Sequence, residues 1–167
     1  MQRGRSFTRH STVGRGDFVK KNNARAPAQI LVVERDASLR EVTSAWLRAN
    51  DYAVREAANH SSAVLELVCG RYDLVVFDIR LASAEELTFA FWLGARYPRV
   101  PVIGTLHEEL TPRARECALE LGIRLLLVKP YRLSALLETV RYALANRHRR
   151  TQESSGECAQ RKRPRGR

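Results

Sequence analysis

The chain of 167 residues has little of what several functional classes require. Its three cysteines, Cys69, Cys117 and Cys158, are odd in number and show no CxxC spacing, a pattern that signals neither a disulfide framework nor a zinc site. They are expected as two small core or half-core residues and one tail thiol. No apolar run approaches the roughly 18 residues of a spanning helix, and no signal-peptide core follows Met1, so a cytoplasmic protein with no membrane partner is expected. A Gly-rich phosphate loop, GxSxG and HExxH are all missing. The histidines of the middle region, His60 and His107, form no ligand-like pair. A flavin- or nucleotide-binding enzyme would need a glycine- or hydroxyl-rich loop after its first strand, where ERDASLR offers only Ser38, and no enzyme activity is expected.

Positive charge is present in excess, 29 Lys+Arg against 18 Asp+Glu, but it is unevenly spread. Residues 1–27 hold seven basic groups and one acid, and residues 148–167 hold seven basic groups and two acids. The 120 residues between them carry 15 of each sign. Both arms lack apolar periodicity and are expected to be disordered, because such composition cannot offset the entropy of ordering. Stretches such as RHRRT and RKRPRGR could neutralise nucleic-acid phosphates in a salt-sensitive way, or could simply be solvated tails. The region 28–147 is long enough for a core of its own.

Within that region strands and helices alternate. Gln29–Val33 (QILVV), Tyr52–Ala57, Asp73–Asp78 (DLVVFD), Val100–Thr105 (VPVIGT) and Arg124–Val128 (RLLLV) read as strands, most of them buried on both faces. Between and after them lie helices over Ser38–Asn50, from a cap at Asn59 or Ser61 to Gly70, over Glu85–Tyr97, Thr111–Leu121 and Leu133–Ala145. In the first, Leu39, Val42, Ala45, Trp46 and Ala49 recur at helical spacing and predict the buried face. Five strand–helix units imply right-handed crossovers and a doubly wound parallel sheet with helices on both faces. Ligands of such sheets bind beyond the carboxyl ends of the strands, where this chain places Glu34, Arg35 and Asp36, then Asp78, then Thr105, Leu106 and His107, and finally Lys129. Asp78 at a strand end could be a nucleophile for phosphoryl transfer, with Lys129 holding a phosphoryl oxygen; a capping Asp salt-bridged to Lys129 would look the same.

ILVVERDASLR, YDLVVFDIRL, PVIGTLH and LLLVKPY, in that order and spacing, resemble the receiver domain of two-component response regulators over residues 29–146. The resemblance implies a flavodoxin-like sheet of order 2-1-3-4-5. It also implies that Asp78 accepts a phosphoryl group from a histidine kinase or phosphotransfer protein, that Lys129 precedes a cis Pro130, and that a downstream protein reads residues 111–145. The Mg²⁺ it implies would rest on Glu34, Asp36, Asp78 and the backbone carbonyl of Arg80. Departures accompany it. Arg35 stands where the family keeps a metal-binding acid: pointing into the pocket it should repel the metal and pair with Asp78, whereas swung out it would leave Glu34 or Asp36 to bind Mg²⁺ with Asp78 and the backbone carbonyl of Arg80. Leu106 aligns with the switch hydroxyl, leaving Thr105 as a displaced candidate. Leu126 aligns with the aromatic relay, while Ala82 and Glu86 replace a turn proline and glycine. A degenerate receiver is therefore expected, in which Arg35 impairs phosphorylation of Asp78 or locks the domain in one conformation without it.

Overall fold

The structure of the chain, a computed structural model, describes residues 26–107 and 110–160, with side chains described as far as residue 147. The elements alternate without exception among the described residues: β1 (Gln29–Val33), α1 (Ala37–Ala49), β2 (Ala53–Ala57), α2 (His60–Cys69), β3 (Leu74–Asp78), α3 (Ala84–Arg96), β4 (Val102–Leu106), α4 (Pro112–Glu120), β5 (Leu125–Val128) and α5 (Leu133–Gln160). The five strands form one parallel sheet of order β2-β1-β3-β4-β5. This is the doubly wound sheet that the alternation predicts, in the flavodoxin-like order that the resemblance implies, reversing between β1 and β3.

The period-2 alternation of the strands divides the core into two layers. Leu31 and Val33 of β1 join Val75 and Phe77 of β3 and Phe89, Ala90 and Leu93 of α3 on one face. Ile30 and Val32 join Leu74, Val76, Ile103, Leu136 and Val140 on the other. Helix starts follow capping chemistry. The Asp36 carboxylate accepts from the Leu39 N–H at 2.8 Å, Asn59 forms a reciprocal cap with Ser62, and Thr111 caps α4 ahead of Pro112.

Three expectations change. In α1 the buried positions are Thr43, Ser44 and Leu47, whereas Val42 and Trp46 of the expected inner face are exposed. The layer beneath α1 is already filled by Leu136 and Val140 of α5, which leaves room for one large side chain, Leu47, and two small ones. Cys69 is exposed rather than core, Cys117 is half-buried, and the side chain of Cys158 lies outside the described residues. Finally, α5 runs to Gln160, past the 147 boundary, so over 148–160 the backbone is helical where a disordered tail is expected. No proline interrupts the chain between Leu133 and Pro164, and a helix nucleated by the packed turns of α5 propagates at little further cost. Of the arm expected at residues 1–27, residues 1–25 lie outside the described residues, as do residues 161–167 of the tail.

Candidate functional site

The carboxyl ends of β1, β3, β4 and β5 converge at one edge of the sheet. Lys129 follows β5, and its Nζ lies 2.7 Å from Asp78 Oδ1 and 2.6 Å from Glu34 Oε2. All three side chains are at least nine-tenths buried, at 5 %, 9 % and 6 % exposure respectively. Burial acts to lower the Lys129 pKa, but the hydrogen bonds and charges of Asp78 and Glu34 outweigh it, so the ammonium group is held above its ordinary value. Glu34 is fully engaged, since its Oε1 accepts the Asp36 backbone N–H at 3.0 Å. His107 is exposed, with Nε2 3.4 Å from Lys129 Nζ. The Lys129–Pro130 peptide is cis, as the resemblance implies.

The remaining positions sort differently. Thr105 is buried and lies across from Asp78 in the β3–β4 register, but its side chain joins none of the ion pairs of the pocket. Leu106 points into the core beside Phe77. Leu126 is half-buried, with Cδ2 2.9 Å from where a Cβ on Gly104 would stand. It is wedged over the glycine in a place where an aromatic ring would need room to turn.

Contrary to the pair expected of an inward-pointing guanidinium, Arg35 does not pair with Asp78. Its guanidinium donates to Glu86 Oε1, in the first turn of α3. Glu86 is completely buried, and it also accepts the Arg80 backbone N–H and the Arg80 Nε, the latter at 3.0 Å. The physical reason is the stronger demand of Glu86: an uncompensated buried carboxylate is far costlier than a half-exposed arginine, and Asp78 already has Lys129. Glu86 is the site residue that sequence reasoning passed over. Its one signal in the sequence is an acid eight residues after Asp78, at the start of α3, where the resemblance implies a turn glycine.

The implied Mg²⁺ needs near-octahedral oxygen coordination from one or two free carboxylates. Here Glu34 has both oxygens occupied, Asp36 caps α1, Lys129 sits on Asp78, and the Arg80 carbonyl accepts the Ser83 N–H at 2.9 Å. The third carboxylate of the pocket, Glu86, is taken by two guanidinium groups. Among the described residues no group of three acidic, histidine or cysteine side chains is placed to hold a metal. The donor set does not fit the ion.

A parallel 2-1-3-4-5 sheet with an aspartate, a glutamate and a cis-proline lysine at its carboxyl edge defines a signalling receiver. The model of the response regulator receiver domain matches residues 30–141, and the chain belongs to that family. Among curated relatives, the response regulator FleR of Pseudomonas aeruginosa is 30% identical over 118 residues, covering 70% of this chain and 25% of FleR. The transcriptional regulatory protein PdtaR of Mycobacterium tuberculosis is 26% identical over 140 residues, covering 82% of this chain and 66% of PdtaR. The chain thus spans only about a quarter of the first curated relatives it matches. Among solved structures, a CheY-like receiver domain from Methanospirillum hungatei superimposes with a TM-score of 0.68 at 21% identity, covering 74% of this chain and 98% of that one. Vibrio cholerae CheY4 gives 0.66 at 25% identity, covering 71% of this chain and all of its own, 100%. Among the described residues no helix is long and apolar enough to cross a membrane.

Proposed function

We propose that the chain is a cytoplasmic receiver module of two-component signalling in which Asp78 accepts a phosphoryl group slowly, from a histidine kinase or phosphotransfer protein. The observation that carries this reading is the buried Lys129 ammonium group 2.7 Å from Asp78 Oδ1. In the transfer an Asp78 oxygen bonds to phosphorus as the phosphorus–nitrogen bond of phosphohistidine breaks, and the imidazole leaves with the electron pair and takes a proton from solvent. Lys129 holds an oxygen of the arriving group as a point charge, and Glu34 keeps Lys129 in place while Asp78 reacts. The reaction is slow because Arg35, tied to Glu86, supplies no free charge to the phosphoryl oxygens. Downstream, residues 111–145 present Leu119, Val128 and Tyr142 at the surface, a face suited to a partner protein.

The Arg35–Glu86 pair favours a second reading, a receiver that acts by shape alone without phosphorylation. Incubation with acetyl phosphate followed by intact mass measurement separates the two. The first reading expects an adduct of one phosphoryl group that Asp78→Asn abolishes; no adduct at saturating acetyl phosphate overturns it and leaves the second.

A further inference from the structure

Glu86 is a buried carboxylate that the Asp78–Lys129 pairing does not use. Its two oxygens draw donors from two separate loops: Arg35 follows β1, and Arg80 follows β3. These are the loops that carry Glu34 and Asp78, so the cluster ties together the two walls of the pocket. A divalent cation bridging acids from both loops would perform the same task by the same electrostatics. The pocket is moreover neutral by count before any ion enters, with Lys129, Arg35 and Arg80 set against Glu34, Asp78 and Glu86. An entering metal would leave these six groups with an excess of two positive charges and would compete with Lys129 for Asp78 and Glu34.

We propose that the Arg35–Glu86–Arg80 cluster is a fixed internal cation bridge that excludes Mg²⁺ from the Asp78 pocket and joins the β1–α1 and β3–α3 loops in its place. Arg35 and Glu86 are reciprocal in this arrangement. An arginine alone would repel the metal but leave the loops unjoined, and the buried glutamate without Arg35 would keep only the half-exposed Arg80 as counter-charge and would lose its tie to the β1–α1 loop. Replacing both together should therefore reopen the site and leave only the half-exposed Arg80 guanidinium without its carboxylate.

The test is metal binding by the full-length chain, with Mn²⁺ as an oxygen-seeking probe and free Mn²⁺ counted by electron paramagnetic resonance. The wild-type chain is expected to bind no Mn²⁺ that Asp78→Asn removes. The double variant Arg35→Asp/Glu86→Gly is expected to bind one ion per chain at least tenfold more tightly, and Asp78→Asn in that background should abolish it. The neutral pair Arg35→Gln/Glu86→Gln, which keeps side-chain volume, should also tighten binding and serves if the first variant does not fold. A wild-type chain that binds one Asp78-dependent Mn²⁺ within threefold of the double variant overturns the proposal. So do folded double variants that bind no more tightly than wild type. Because binding is read without phosphoryl chemistry, failure of Asp78 to label with acetyl phosphate would leave this result standing.

Discussion

At the floor of the pocket a single ammonium group is shared by two buried carboxylates, and removing it exposes how much each depends on it. Lys129→Met keeps the volume of the side chain but leaves Glu34 and Asp78 facing each other without a counter-charge. The expected cost is about 3–5 kcal/mol in denaturant unfolding at neutral pH. Glu86→Ala should cost about 2–4 kcal/mol by the same measurement, because it strands the Arg80 N–H. Arg35→Ala should cost less than that, since its side chain is 46% exposed and water can reach the pair. Asp78, Glu34 and Lys129 were legible in the sequence because each ends a strand, and strand ends of a parallel sheet converge by topology. The partner of Arg35 was not, since a contact between residues 35 and 86 depends on the path of two loops, which no periodicity encodes.

Among the elements, strands were read nearly to the residue because continuous β-branched runs have one burial solution, and β1 falls on Gln29–Val33 in both readings. Helix α1 shows where apolar spacing misleads. Val42, Ala45 and Trp46 mark a helical face, yet the side turned inward is the one carrying Thr43, Ser44 and Leu47. What the pattern omits is the neighbouring helix, α5, whose side chains decide how much room is left. Leu47→Ala should therefore cost about 2–5 kcal/mol, and Trp46→Ser, at a half-exposed position, well under half of that, as read from denaturant midpoints. In β4, Gly104→Ala would bring its new carbon to 2.9 Å from Leu126 and 3.1 Å from Ile123. Overpacking of this kind is expected to cost about 1–3 kcal/mol.

For the molecule as a whole, the titrating groups with resolved shifts all pull the same way. Lys129 is raised by Asp78 and Glu34 against the opposing effect of burial, while Tyr72 is raised by burial and by its hydrogen bond to Glu66, and Tyr131 by burial. For each, the folded-state pKa lies above the unfolded one, so the stabilisation is complete below the ordinary value and is lost as pH rises toward and through the folded value. Denaturant midpoints should hold steady from about pH 7 to about pH 9 and fall by about pH 11. Lys129→Met should reduce that fall. The excess of positive charge, by contrast, belongs to the two ends of the sequence, while the receiver itself is balanced. The ion pairs at the carboxyl edge of the sheet are balanced as well, Lys129, Arg35 and Arg80 against Glu34, Asp78 and Glu86. The most direct test of the account is the rate at which acetyl phosphate labels Asp78 of the wild-type chain, followed by intact mass in excess Mg²⁺ and in EDTA. Slow labelling at the same rate in both is predicted; labelling accelerated tenfold or more by Mg²⁺, or no labelling at all, would contradict it.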